Sequence, residues 1–152
     1  MRYSPLLYLL SAAVVGAAYQ WVAAAFWGYY AAITPMQGVL LNVLGSADEA
    51  TVRSIVTYAH DLVLNIAIAL PFAAVFRWVP ALRTWFHVTL AVGVHFLLSY
   101  GSISLVSWAG LLVIPRFWAG IAFTLLSLPA AYFLLNLVGT VRSAPETAQE
   151  AA

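Results

Sequence analysis

The sequence predicts an all-α polytopic membrane protein, a bundle of four transmembrane helices with a short interfacial helix between the first and the second. Three observations predict it. Charged residues make up 7% of the 152 residues and the mean hydropathy is +0.96, whereas about 25% of a soluble domain is charged. A soluble chain of this length still exposes about 30% of its unfolded surface, and 6 basic plus 5 acidic residues cannot cover it. Four apolar stretches each reach the about 20 residues that cross a hydrocarbon core of about 30 Å. Pro5, Pro35, Pro80, Pro115 and Pro145 punctuate their ends.

The first stretch, 5–31, is interrupted only by Ser11, Gln20 and small residues. Its length exceeds the roughly 7–15 apolar residues of a cleavable signal core, so it reads as a retained helix. The second, 54–76, is closed by Arg77, Trp78 and Pro80. The third, 84–106, opens after Arg83; the fourth, 117–138, follows Pro115-Arg116 and meets a helix stop at Gly139. Together they make one domain over 1–141, followed by a flexible polar tail over 142–152.

The linker after the first stretch has a design of its own. Thr34-Pro35-Met36-Gln37 reads as a capping box with proline at the first helical position. Met36, Val39, Leu40, Val43 and Leu44 then recur at helical spacing until Gly45. This pattern predicts an interfacial helix over 35–44. Ser46-Ala47-Asp48-Glu49 is a second capping box, so the next helix is expected to start near Ala47 and rise above the bilayer.

Arginine placement gives an orientation. Arg2, Arg77, Arg83 and Arg142 fall on one side, and Arg53 and Arg116 on the other. The excess predicts that both termini are cytoplasmic. Tyr3, Tyr8, Trp78 and Trp85 mark that interface, and Trp27, Tyr29, Tyr30, Trp108 and Trp118 the opposite one. Arginine without lysine and abundant alanine point to a GC-rich bacterial genome, hence to the inner membrane.

Each helix carries one small or polar stripe. In the first it is Ala12, Gly16, Gln20, Ala24 and Gly28, a face that lets helix backbones approach closely in lipid. The second has Ser54, Thr57, Asp61 and Asn65; the third has Thr84, His87, Ala91, His95, Ser99 and Ser102; the fourth has Gly120, Thr124, Ser127 and Ala131. These faces are expected to turn inward or toward another subunit. Pro71 and Pro129 lie within the second and fourth helices, each depriving a carbonyl four residues earlier of its usual donor.

Asp61 is the only acidic residue inside a predicted span. An ionised carboxylate in hydrocarbon costs about 2.5–3.5 kcal/mol, so Asp61 must face the bundle, paired or protonated. It lies about 10 Å below the outer end of its helix, and His95 about 16 Å below the outer end of the third. The expectation is one buried polar cluster of His60, Asp61, Asn65, His95 and Ser99 in the outer half of the bilayer.

Three uses fit such a cluster. It can be a hydrogen-bond network that fixes helix register. It can be the site of a proton- or ion-coupled carrier, acting as an oligomer, with Asp61 exchanging a proton and His95 relaying it. With His60 and His95 as axial ligands, it can hold haem b.

Other classes lack their chemistry. The absence of cysteine removes thiolate nucleophiles, disulfides and iron–sulfur clusters. There is no G-x-S-x-G elbow, H-E-x-x-H pair or phosphate loop. No basic run is present, so no nucleic-acid partner is expected. The run from Asn65 to Pro71-Phe72 resembles the second helix of the membrane-associated eicosanoid and glutathione metabolism proteins. Ile68 and Asp61, however, stand where that family carries an acidic and a basic residue, which removes the logic of a glutathione site. The expected function is therefore non-catalytic and without a cofactor: an accessory, assembly or protective subunit. Its partners are the lipid bilayer and a membrane protein or a second copy.

Overall fold

A computed structural model describes residues 5–33 and 49–143. The described residues form helices joined by short links, without strands. Helix α1 runs Pro5–Ile33, α2 Glu49–Trp78, α3 Trp85–Tyr100, α4 Leu105–Leu111 and α5 Pro115–Ser143, with a 3-10 turn at Pro80–Leu82. Three of them, α1, α2 and α5, are long and apolar enough to cross a membrane. The interfacial helix expected at 35–44, and the tail beyond Ser143, lie outside the described residues.

Local chemistry sets the boundaries. Pro5 and Pro115 occupy first helical positions, where the missing N–H has no intrahelical partner to lose. Val79 is extended (φ −92°, ψ 102°), the conformation imposed on a residue before proline, and this ends α2. The link from α2 to α3 is tight. Leu82 N–H donates to Val79 O at 2.9 Å, Thr84 N–H donates to Leu82 O at 2.7 Å, and the Leu82 side chain is buried.

The third and fourth stretches depart from the expected bounds. α3 stops at Tyr100, before the expected end at Val106, because the chain turns at Gly101–Ile103 and Ser104 starts a new helix. Ser104 is extended and its Oγ accepts the Ser107 N–H at 3.2 Å, an N-cap for α4. Ser102 therefore lies beyond the helix on which the stripe was drawn. α5 begins at Pro115 and runs through Gly139 to Ser143. A glycine in a spanning helix costs little when the helix has other support, and it does not act as a stop here.

In the packing, α1 lies along α3 and α2 along α5, with α3 against α5 and a lighter contact between α1 and α2. The α1–α3 approach is close enough that a Cβ on Gly16 would strike the backbone of Ala91. Ala12, Ala69, Ala73, Ala91 and Ala131 are fully buried, so small side chains bring the helices together. Large apolar residues such as Leu6, Val14, Val63, Leu97 and Leu126 face outward.

The two ends of the molecule differ. Toward the α2–α3 link, the interior is mostly apolar: Ala73, Phe76, Leu82, Val88, Leu128 and Tyr132 are buried in one cluster. Toward α4, the interior carries polar side chains that are only half-buried. There Tyr100, Trp108 and Phe117 form an aromatic group, with Phe117 edge-on to Tyr100 at 5.7 Å and to Trp108 at 5.2 Å.

Candidate polar site within the helices

The sequence-predicted cluster resolves into two hydrogen-bonded groups. In the first, α1 meets α2. His60 Nδ1 lies 3.3 Å from Asp61 Oδ1, and His60 Nε2 lies 2.9 Å from the Tyr30 hydroxyl. The two ring nitrogens thus bridge the Asp61 carboxyl and the Tyr30 phenol. One turn away, Trp27 Nε1–H donates to Asn65 Oδ1 at 3.2 Å, and Asn65 Nδ2–H donates to the Asp61 carbonyl at 2.7 Å. The Asp61 side chain is 20% exposed. Phe26 stacks on Tyr30 at 5.4 Å and packs edge-on against Trp27 at 5.7 Å.

In the second group, α1 meets α3. The Ser99 hydroxyl lies 2.7 Å from Gln20 Oε1 and 2.8 Å from the His95 carbonyl, and its single proton is shared between these two acceptors. The His95 ring packs on Tyr19, which packs on Phe72 of α2, with centroid separations of 4.4 and 5.3 Å. Ser127 of α5 is within hydrogen-bonding reach of the Tyr19 phenol. Tyr19, 1% exposed, thus meets side chains of α2, α3 and α5. His95 is 5% exposed and its Nδ1 is buried without a partner.

No contact joins His60 to His95 among the described residues; each belongs to its own group. With α3 ending at Tyr100, His95 sits about 8 Å below that end. A third contact set ties α3 to α5: the Tyr100 and Thr124 hydroxyls are 3.4 Å apart, and Gly120 leaves room for the Tyr100 phenol. Thr124 and Ser127 also donate to carbonyls of their own helix. His87, near the link, bonds to Thr84 Oγ1 at 2.7 Å.

The small-residue face of α1 divides. Ala12 and Gly16 are buried and Gln20 reaches α3, whereas Ala24 and Gly28 are exposed. A strict four-residue step drifts about 40° per step around a helix of 3.6 residues per turn. The face that stays inward is Ala12, Gly16, Tyr19, Ala23, Trp27 and Tyr30. Three of these, Tyr19, Trp27 and Tyr30, carry site contacts that the stripe did not include. Their signal in the sequence is helical periodicity continued from Gly16, which competes with the interface reading of Trp27 and Tyr30.

Chemically, the arrangement is a set of crossbraces. Tyr30, Trp27, Gln20 and Tyr100 each meet a polar side chain of another helix, and among the described residues His95 Nδ1 and Arg77 Nη1 are buried without a partner. Among the described residues, no three His, Asp or Glu side chains converge as metal ligands. No protein-family model, no curated protein and no solved structure matches the chain.

Proposed function

We propose that this chain is a non-catalytic membrane subunit of accessory, assembly or protective type, which works by binding another membrane component. The reading rests on one observation: four pairs of polar side chains tie the helices to one another. Tyr30–His60, Trp27–Asn65, Gln20–Ser99 and Tyr100–Thr124 each join two helices. Such bonds fix helix register. The exposed Ala24 and Gly28 add a small-residue face of α1 that packs on nothing within the described chain.

In this reading α3 is a fourth crossing, antiparallel to α2. The arginine excess sets both termini on the cytoplasmic side of a bacterial inner membrane. The test is purification from native membranes into lipid nanodiscs, with subunits counted by native mass spectrometry. A stoichiometric membrane partner or second copy is expected. A lone monomer, without partner, overturns the proposal.

A second reading, an ion- or proton-coupled carrier, is favoured by the partly exposed Asp61 carboxylate beside His60. The packed apolar cluster toward the link opposes it, because a carrier must open that half in turn. Proton-coupled uptake in proteoliposomes that disappears with Asp61→Asn would install this reading; uptake absent from both proteins removes it. Haem ligation would require His60 Nε2 to leave the Tyr30 hydroxyl. An oxidised-against-reduced absorption spectrum tests it directly, since a Soret band shifting on reduction is its signature.

A further inference from the structure

The outward faces of the helices answer several of their polar groups locally. Ser11 and Thr89 donate to the carbonyls of Leu7 and Trp85 in their own helices, and Trp118 Nε1–H donates to Leu112 O. Trp21 differs. It is 77% exposed, and among the described residues none accepts from its indole N–H. Tryptophan settles at headgroup depth, where water serves the indole, but Trp21 lies nine residues from Tyr30, the nearer end of its span. That is about 14 Å deep at about 1.5 Å per residue. Hydrocarbon offers no acceptor at that depth, so the N–H calls for one on another protein chain.

The chain itself carries the complementary group. Pro71 has no N–H, so the Ala67 carbonyl loses its usual donor inside α2. Ala67 and Pro71 are both exposed, so this gap in the helical ladder opens outward, beside a methyl group rather than a large side chain. The contacts Trp27–Asn65 and Tyr19–Phe72 run α1 antiparallel to α2 and put Trp21 within about one helical turn of Ala67 in depth. Trp21 and Ala67 face out of their own bundle, so within one chain they do not meet. Ala24 and Gly28, exposed at helical spacing from Trp21, let another helix approach the α1 backbone beside the indole.

We propose that a second copy of this chain lays its α2 along the outer face of α1, so that Trp21 of one copy donates to the Ala67 carbonyl of the other. The proposal rests on the accessory-subunit reading and names the bound membrane component as the chain itself. The test uses the full chain labelled at Ser102→Cys, an exposed position outside the helices. Association in liposomes is read as energy transfer between copies over a dilution series. Transfer that falls on dilution, the mark of reversible self-association, is expected. Trp21→Phe keeps a ring and removes the donor, and should weaken association about 3-fold, the worth of one hydrogen bond between spanning helices. Pro71→Ala returns the missing N–H to the Ala67 carbonyl and should weaken it about as much. The double variant should be no weaker than either single one. Pro129→Ala, which returns a donor to Leu125 on α5, should leave association unchanged.

Unchanged association in Trp21→Phe overturns the proposal, as do additive losses in the double variant. Weakening by Pro129→Ala in place of Pro71→Ala also overturns it. If Pro71→Ala disturbs the fold, Trp21→Phe decides, because that exposed side chain packs on nothing inside the bundle. A single copy bound to a different membrane protein overturns this proposal and keeps the accessory reading. A lone monomer without any partner overturns both.

Discussion

The imidazole of His95 lies 4.4 Å from the phenol ring of Tyr19, at an interplanar angle of 37°. This pair is the centre of the bundle, since Tyr19 also meets Phe72 from α2 and approaches Ser127 from α5. An aromatic contact of this kind contributes about 0.5–1.5 kcal/mol beyond area burial. His95 contributes the ring while leaving Nδ1 unsatisfied.

His95→Phe keeps a ring against Tyr19 and removes the orphaned nitrogen. Replacing an unpaired buried polar group by an apolar one of similar shape is close to neutral or stabilising. The thermal midpoint in detergent should therefore hold or rise. A loss greater than about 1 kcal/mol would mean that the imidazole makes an interaction with something other than the described chain.

Tyr19→Ala should be among the most damaging single changes. It opens a cavity where α1, α2, α3 and α5 converge, and large aromatic truncations in packed cores cost about 3–5 kcal/mol. Tyr19→Phe keeps the stack and loses only the hydroxyl, for about 1 kcal/mol. Equal unfolding free energies for the two variants would show that the ring carries no packing.

Gly16→Ala should be destabilising despite its small size. The added methyl meets the Ala91 backbone rather than a movable side chain, so α1 and α3 must separate. Overpacking of this kind costs about 1–3 kcal/mol. Gly28→Ala, where a Cβ meets nothing within 4 Å, is the control and should leave the midpoint unchanged in the isolated chain.

Tyr30 and His60 should be energetically coupled. A double-mutant cycle on Tyr30→Phe and His60→Ala, read by unfolding in mixed micelles, should give about 0.6 kcal/mol, with an upper bound near 1.7 kcal/mol for hydrogen bonds between spanning helices. Strict additivity would mean that the 2.9 Å contact does not form in the membrane.

The number of crossings can be read chemically, because the chain has no cysteine of its own. Single cysteines at Arg83 and at Ser102 bracket α3. With α3 as a crossing, an impermeant thiol reagent should reach them from opposite faces of a sealed vesicle. Labelling of both from one face would make α3 a helix that enters and returns.

How far the sequence reveals the fold depends on which signal stands alone. His60, Asp61 and Asn65 are legible because an imidazole, a carboxylate and an amide are costly inside an apolar span. Their partners Tyr30 and Trp27 are not, because aromatic residues near a helix end also mark the membrane interface. Tyr19 was masked by the small residues around it, which drew the packing face along a four-residue step. The end of α3 was hidden for a related reason. Ser99 and Ser102 continue a polar stripe at helical spacing, and only the backbone shows that the helix ends before Ser102 and that Ser104 caps a new one. His95 and Asp61 were placed in adjoining layers by depth alone, and depth says nothing about which neighbour each side chain meets.

The shortness of α3 has a consequence for the surrounding lipid. Its 16 residues rise about 24 Å, whereas the hydrocarbon core averages about 30 Å. If α3 crosses, the acyl chains beside it must compress or α3 must recruit cover from its neighbours, at a cost of fractions of a kcal/mol per Å of mismatch. α1, α2 and α5 impose no such demand, since each can tilt to fit. The protein would then be ringed by lipid of uneven thickness, thinnest along α3. Membranes of shorter-chain lipids should accommodate it best, and another thin-walled protein would be drawn to that side.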